Sequence, residues 1–220
     1  MKKISNGWLA AIIVLLVIVI DQFSKIWVKT HFFLGEEFEI TSWFKLQFIE
    51  NNGMAFGMEL GSKIFLTWFR IIAVALFIYY LCKLRKRTDV ARGYIVCIAL
   101  VTAGAMGNVI DCIFYGVAFN APGGTEVAQM FPPDGGYESL FNGRVVDMLH
   151  FPLCEWDWPG WVPFVGGDHC QFFRPVFNVA DAALSVSVMV LILFYPKYLV
   201  ASKKTDEETE AQDSEKNEEK

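Results

Sequence analysis

Four carboxylates in this sequence lie within or beside apolar stretches: Asp21, Asp111, Asp147 and Asp181. Two asparagines, Asn108 and Asn178, each precede one of these carboxylates by three residues. On a helix, that spacing puts an amide and a carboxylate on one face. Because an ionisable side chain is costly to bury in a membrane, each of the four carboxylates is a candidate functional residue.

Two carboxylates are sufficient for one kind of chemistry without any cofactor. When they lie a few Å apart in a poorly hydrated site they cannot both ionise, so near neutral pH one acts as a base and its neighbour as an acid. Such a pair activates water and protonates a leaving amine, which is the hydrolysis of a peptide bond. All four carboxylates are eligible on these grounds alone, and we expect no cofactor.

Two other chemistries use similar residues. Intramembrane acids carry protons or ions in transporters, so an ion-coupled transporter or binding protein is the alternative. Four predicted spans without an inverted repeat make this alternative weaker. A metal site would use ligands of the outer loop such as His150, Cys154 and His169. Since these residues do not follow a zinc-binding spacing, we expect no metal.

The composition is that of a membrane protein. Hydrophobic residues make up 54% of the 220-residue chain, which is high for a soluble domain of this size. The net charge of −5 is misleading, because residues 205–220 contain eight acidic residues and two lysines. We interpret residues 201–220 as a disordered, solubilising cytoplasmic tail and residues 1–200 as a single integral membrane domain.

Four apolar runs of about 20 residues are each long enough to cross a bilayer as a helix. We place these spans at residues 7–28, 64–82, 93–115 and 176–195. The short loop between the second and third runs has five basic residues, so the positive-inside rule makes this loop and both termini cytoplasmic. The predicted fold class is therefore membrane, mainly α, with four transmembrane helices.

The two remaining segments are periplasmic in this topology. Residues 29–63 alternate polar and apolar side chains, which predicts a small β-containing platform over residues 31–60. Residues 116–175 form a long loop whose aromatic residues can rest on the outer leaflet. Its Cys154 and Cys170 are either a disulfide or two free thiols. In this topology the polar residues named above converge at the outer leaflet boundary, which predicts one shared polar site.

Five short motifs, taken in order, resemble those of the lipoprotein signal peptidases, the type II signal peptidases of bacteria. The motifs are Asp21 with Lys25, Asn51-x-Gly53-x-Ala55-Phe56, Gly104-Ala105-x-Gly107-Asn108-x-x-Asp111, Val145-Val146-Asp147 and Phe177-Asn178-x-Ala180-Asp181. The resemblance covers roughly residues 8–195. Each motif alone is weak, whereas five in this order are specific.

The resemblance implies an intramembrane aspartyl endopeptidase of the bacterial inner membrane. Its substrates would be prolipoproteins with a diacylglyceryl-modified Cys, from which it removes the signal peptide by cutting before that Cys. The resemblance implies that Asp147 and Asp181 are the catalytic pair. It assigns substrate binding or support of the site to nine further residues: Asp21, Lys25, Asn51, Gly53, Ala55, Asn108, Asp111, Asn178 and Ala180.

The same resemblance implies inhibition by globomycin-type peptides. We also expect contact with membrane lipids, a monomeric state and no nucleic-acid partner. The amide of Asn178 is one helical turn before Asp181, and we interpret it less as a helix cap than as a group that orients the aspartates or the substrate backbone.

The chain departs from the family pattern in two ways. The family usually has Arg directly after the third motif, where this chain has Cys112; Arg144 and Arg174 are candidates to supply the charge. Two insertions, residues 117–143 and 152–172, lengthen the outer loop. They change the surroundings of the substrate entrance and remove no catalytic motif.

Overall fold

The structure is a computed structural model that describes residues 4–52, 63–87 and 89–198. In chain order, its elements are α1 (Asn6–His31), β1 (Glu37–Thr41), β2 (Phe44–Asn51), α2 (Lys63–Leu84), α3 (Arg92–Ala118), β3 (Val145–His150), β4 (Cys154–Asp157), β5 (His169–Phe172), β6 (Val176–Phe177) and α4 (Val179–Phe194). The predicted site residues Gly53 and Ala55 and the predicted tail at 201–220 lie outside the described residues.

Three of the helices, α1, α2 and α3, are long and apolar enough to cross a membrane. Helix α3 is central. In an apolar 18-residue stretch of each helix, 67% of α3 is buried, compared with 17% of α1 and 11% of α2. The two outer helices expose large apolar side chains such as Leu15, Phe23 and Phe69, as expected of helices surrounded by lipid. Helices therefore occupy the first three predicted spans, each extended by one to three residues at its ends.

The fourth helix is shorter than the sequence predicted. The predicted span covers residues 176–195, whereas α4 has 16 residues. Val176–Phe177 instead form strand β6 and pair with β3. The next residue, Asn178, has extended backbone and caps α4 with its side chain. Because both the strand and the cap require non-helical backbone, the helix begins only at the following residue.

Small residues let α3 approach α1 and α4 closely. A Cβ atom at Gly107 would lie 2.6 Å from the Asp21 carboxylate and 2.9 Å from the Ala180 side chain. A Cβ atom at Gly104 would overlap the Ala180 carbonyl oxygen. The two glycines therefore permit the close packing of the helices that carry the polar motifs.

Strands β1, β2, β3 and β6 form one antiparallel sheet in that order. Among the described residues, the platform predicted over residues 31–60 supplies only β1 and β2. Strand β3 comes from the long outer loop, and β6 from the start of the predicted fourth span. Val146 and Met148 of β3 lie in a buried apolar cluster with Phe48 of β2. Side chains alternate along a strand, so Asp147 faces the other side of the sheet.

The first insertion folds back onto the C-terminal end of α3. Within residues 117–143, the Glu138 backbone N–H donates to the Gly116 carbonyl at 2.9 Å. The Gly143 backbone N–H donates to the Cys112 carbonyl at 2.8 Å. The insertion is thus attached to the helix that carries the central polar motif.

The second insertion forms a separate two-stranded sheet. Within residues 152–172, strands β4 and β5 pair antiparallel. Cys154 lies opposite Phe172, and Cys170 lies opposite Trp156, so the two cysteines are diagonal neighbours. Both thiols are free in the structure, which corresponds to the second of the two alternatives for this pair.

Candidate active site

Asp147 and Asp181 reach one site from two different elements. Asp147 lies in the middle of β3 with 4% of its surface exposed, and Asp181 lies in the first turn of α4. Asn178 links them. Its side-chain amide donates to Asp147 Oδ1 at 2.7 Å, and its side-chain oxygen accepts the Asp181 backbone N–H at 2.9 Å. The two residues of the predicted pair are therefore joined through one side chain.

The carboxyl group of each aspartate accepts a hydrogen bond from a further asparagine. Asn51 Nδ2 lies 3.4 Å from Asp147 Oδ2, and Asn108 Nδ2 lies 2.7 Å from Asp181 Oδ1. Asn178 Nδ2 also lies 3.1 Å from Asn108 Oδ1. Neutral amides orient a carboxylate without cancelling its charge, so both aspartates remain able to gain and lose a proton.

The interpretation of Asn178 as an orienting group rather than a helix cap covers only one of its two roles. Asn178 is the N-cap of α4 and forms a capping box with Asp181. Its Oδ1 atom serves the cap, while its Nδ2 atom serves the Asp147 carboxylate. One side chain therefore determines both where the helix starts and how the strand carboxylate is oriented.

Burial and a neighbouring charge alter the acidity of Asp147. Its pKa is raised to about 7, first because burial disfavours the ionised form and second because the Asp181 carboxylate is close. The hydrogen bonds from Asn178 and Asn51 lower the pKa and so oppose this effect. A pKa near neutrality allows this carboxyl to be protonated or ionised at physiological pH, as acid–base catalysis requires.

A buried ionic cluster adjoins the two aspartates. Lys25 Nζ lies 2.9 Å from Asp21 Oδ2 and 2.8 Å from Asp111 Oδ2, and all three side chains are fully buried. The same ammonium donates to Asn108 Oδ1 at 2.9 Å. Since a buried charge must be paired and hydrogen-bonded, these four residues stabilise one another as a unit.

Both acids of this cluster also bind the main chain of the site. Asp111 accepts the backbone N–H of Val146 at 3.3 Å, and Asp21 accepts that of Ala180 at 2.9 Å. Each of these N–H groups belongs to the residue immediately before one of the two site aspartates. The cluster therefore fixes the backbone that carries each aspartate, which fits a supporting role.

Gln22 is a member of this cluster that the sequence did not reveal. Its side-chain amide donates to Asp111 Oδ1 at 2.8 Å and to the Gly107 carbonyl at 3.1 Å. The Tyr115 hydroxyl donates to the Gln22 side-chain oxygen at 3.1 Å. The only available signal was its position directly after Asp21, within an apolar run.

The cation beside Cys112 comes from α2. Arg70 Nη1 lies 3.2 Å from Cys112 Sγ. Of the two arginines that the sequence offered for this place, Arg144 pairs with Glu50 at 2.9 Å, and Arg174 is exposed. Arg70 was not assigned to this place from the sequence, although a single cation in an otherwise apolar span is a signal that could have identified it.

Across the described ranges, no group of three or more His, Cys, Asp or Glu side chains is arranged to hold a metal ion. Of the loop ligands considered above, His169 Nδ1 lies 2.8 Å from an Asp157 carboxylate oxygen within the β4–β5 sheet. His150 is at the end of β3, with its Nδ1 atom 3.4 Å from Glu37.

Comparison with known sequences identifies the family. The sequence profile of signal peptidase (SPase) II matches residues 13–196. A lipoprotein signal peptidase from Porphyromonas gingivalis is 46% identical over 218 residues, covering 98% of this chain and 96% of that protein. One from Amoebophilus asiaticus is 37% identical over 210 residues, covering 92% and 84% of the two chains.

The fold is similar to that of a bacterial membrane enzyme solved by the in meso method at 1.9 Å, with a TM-score of 0.55 and 23% identity. The match covers 84% of this chain and 90% of that one. A second such structure, at 2.3 Å, has the same score and covers 86% and 88% of the chains. None of these matches supports the transporter alternative. The profile and the two relatives each span most of the sequence, and the chain therefore belongs to the signal peptidase II family.

Proposed function

We propose that this chain is an aspartyl endopeptidase that removes signal peptides from diacylglyceryl-modified prolipoproteins, with Asp147 and Asp181 as its catalytic pair. Cleavage occurs before the lipidated Cys. Membership of the signal peptidase II family supports the reaction. The observation that carries the choice of residues is the Asn178 side chain, which donates to the Asp147 carboxyl group at 2.7 Å and accepts the backbone N–H of Asp181 at 2.9 Å.

In the proposed mechanism the pair shares one proton. Asp147, with its pKa of about 7, carries that proton just below neutral pH and transfers it to the scissile carbonyl oxygen as the water attacks. Asp181 starts as the carboxylate and takes a proton from the water that attacks the carbonyl carbon. When the tetrahedral intermediate collapses, Asp181 gives its proton to the leaving amine and Asp147 recovers its own from the intermediate.

The remaining polar residues prepare this geometry in advance. Asn51, Asn108 and Asn178 orient the two carboxyl groups through their amides. Asp21 and Asp111 hold the backbone beside each carboxyl group through Ala180 and Val146, and Lys25 balances their charge. Groups fixed before the substrate arrives need no reorganisation during the reaction, which is the main source of electrostatic catalysis. Gly53 and Ala55 stay predictions as substrate-binding residues.

The proposed topology has four spans in the bacterial inner membrane and both termini in the cytoplasm, with residues 1–200 as one domain. Helix α4 is the shortest span, because its 16 residues extend only about 24 Å. A bilayer core is about 30 Å thick. With the inner end of α4 at the cytoplasmic boundary, Asp181 lies slightly below the periplasmic boundary. A peptide bond next to a lipidated Cys is held near this depth by its acyl chains.

The β1–β2 hairpin forms the platform beside the site. It exposes Phe38, Ile40 and Trp43, which are suited to the membrane–water interface. The long periplasmic loop, residues 116–175, adds β3 and both insertions. In this account the enzyme acts as a monomer among membrane lipids, is blocked by globomycin-type peptides and uses no nucleic acid.

A gel-shift assay with a lipidated prolipoprotein tests the assignment. Asp147→Asn and Asp181→Asn should each abolish cleavage while the protein still inserts into the membrane. Asp157→Asn is the matched control, because this carboxylate is 78% exposed in the β4–β5 sheet and has no role in the mechanism. Retained turnover in either of the first two variants would exclude the pair. Loss of wild-type activity in EDTA would instead favour a metal enzyme.

A further inference from the structure

A second buried ionic cluster lies behind the sheet, on the side opposite Asp147. Lys29 follows Lys25 by one helical turn on the same face of α1, is fully buried and forms an ion pair with Glu50 of β2. Glu50 also binds Arg144, whose Nη1 lies 2.9 Å from Glu50 Oε2. The Glu50 side chain is only 2% exposed. Lys29 and Glu50 are buried, whereas the Arg144 side chain is 36% exposed. Burying an ion pair is costly, so this arrangement requires an explanation beyond stability.

The first insertion completes the enclosure of this cluster. The rings of Phe48, Phe119 and Tyr137 lie 5.7, 5.2 and 5.2 Å from the ammonium of Lys29. Phe119 and Tyr137 both belong to the insertion, and Phe48 belongs to β2. Aromatic faces attract a cation and exclude water, which strengthens the ion pair inside. The insertion therefore closes the space in which Lys29 meets its partner.

Strand β2 carries this cluster and the active site on opposite faces. In the register of β2 with β3, Glu50 lies opposite Val146 and Asn51 lies opposite Val145. Successive side chains alternate, so Glu50 faces the cluster while Asn51 faces the site, where it donates to Asp147 at 3.4 Å. These are the last two residues of β2. The cations on Glu50 therefore fix the strand end from which Asn51 reaches the carboxyl group.

We propose that Lys29, Glu50 and Arg144 form a positioning triad for the reaction, in which an ionised and doubly paired Glu50 holds Asn51 against Asp147. The inference rests on the proposed function, because it concerns the same pair of aspartates. The triad touches neither the substrate nor the reacting atoms. It acts on them through the strand that it holds and through its charge.

Because Lys29 and Glu50 have opposite charges, the proposal predicts that their replacement shifts the titration of the aspartates in opposite directions. Lys29→Met removes a positive charge behind the sheet. Loss of the proton shared by Asp147 and Asp181 then becomes less favourable and occurs at higher pH. Glu50→Gln removes a negative charge and moves the titration to lower pH. For one charge at a distance on the order of 10 Å and an effective dielectric constant of about 20, each shift is about one pH unit. Other charged groups also face the site from the elements packed around it and are unchanged in both variants: Asp181 on α4, Asp21 and Lys25 on α1, and Asp111 on α3.

The experiment is the pH profile of kcat/KM for cleavage of a lipidated prolipoprotein by the full-length protein. The basic limb, which reports loss of the shared proton, should move up by about one pH unit in Lys29→Met and down by about one unit in Glu50→Gln. The double variant removes one charge of each sign and should return the limb to the wild-type position. Lys45→Met is the matched control, because Lys45 forms a partly exposed pair with Glu37 at 2.8 Å on the same sheet. Its profile should equal that of the wild type.

A shift of the basic limb in the same direction in both single variants would overturn the proposal. So would wild-type pH profiles with reduced rates in both, because the three residues would then contribute only to packing. If Lys29→Met does not insert into the membrane, Lys29→Arg replaces it in the experiment. Lys29→Arg keeps the charge and should retain the wild-type pH profile, while Glu50→Gln should still move the basic limb down. Identical profiles for Lys29→Arg and Glu50→Gln would overturn the proposal. The proposed function fails by a different result, namely turnover in Asp147→Asn or Asp181→Asn.

Discussion

Replacing Asn178 by Ala and by Ser separates the two roles of this side chain. Its oxygen caps α4 by accepting the Asp181 N–H at 2.9 Å, and its amide donates to Asp147 at 2.7 Å. Ala removes both interactions. Ser is as good an N-cap as Asn, but its shorter side chain cannot reach the carboxyl group that the Asn178 amide contacts. The two variants should therefore differ in stability and agree in activity.

The expected magnitudes follow from the two hydrogen bonds. Loss of an N-cap costs about 1 kcal/mol, so Asn178→Ala should be less stable than the wild type by that amount, and Asn178→Ser should be close to the wild type. Because Asp147 is protonated in the reactive form, the lost hydrogen bond is a neutral one that contributes about 0.5–1.5 kcal/mol, which corresponds to a fall in kcat/KM of about 2- to 13-fold in both variants. The lost donor favoured the ionised form of Asp147, so the basic limb of the pH profile should rise by about one to two units.

Two measurements on the same purified proteins test the capping role and the orienting role of Asn178 separately. Thermal or denaturant unfolding in detergent gives the stability order, and initial rates of prolipoprotein cleavage across pH give the activity. Full activity in Asn178→Ser would refute the orienting role of the amide. Equal stability of the wild type and Asn178→Ala would refute the capping role.

Two further predictions concern packing and pH. Gly107→Ala should lose about 1–3 kcal/mol of stability together with activity, because the new methyl group would lie 2.6 Å from a buried carboxylate oxygen; in Gly7→Ala, where the nearest atoms are 3.5 Å away, unfolding and cleavage should be unchanged. An equal loss in both alanine variants would contradict the close approach of the helices. Asp147 has a folded-state pKa of about 7, above its ordinary value, so the stability it contributes is complete below pH ~4 and is lost as pH rises towards 7. The wild type should thus lose stability on the order of a few kcal/mol over this range, and Asp147→Asn should reduce the decline; an unchanged slope in the variant would contradict the raised pKa.

Much of the site was predictable because its residues occur in apolar surroundings. Asp21, Lys25, Asp111 and Asn108 are polar residues in helices whose other side chains are largely hydrophobic, and the orientation of the spans brings them to one end. The structure joins all four in the predicted shared site. This prediction worked because the helical period and the length of a bilayer span are local properties of the sequence.

The parts that the sequence missed depend on contacts between distant segments. Val176 and Phe177 are apolar and suit a helix or a strand equally well, so only their pairing with β3 shows where α4 begins. The register that places Asn51 near Asp147 joins residues 96 positions apart and has no local signature. Lys29 resembled an ordinary cation at a helix end, and its burial becomes visible only with the first insertion folded over it.

The shared proton of Asp147 and Asp181 is the central claim, and infrared titration of the carboxyl groups tests it most directly. In the wild type, a protonated carboxyl band should persist to an apparent pKa of about 7 and be absent in Asp147→Asn. In Asp181→Asn the same band should titrate at lower pH, because the neighbouring negative charge that raises the pKa of Asp147 is gone. A band that titrates near pH ~4 in the wild type, or one that does not respond to Asp181→Asn, would contradict the coupled pair.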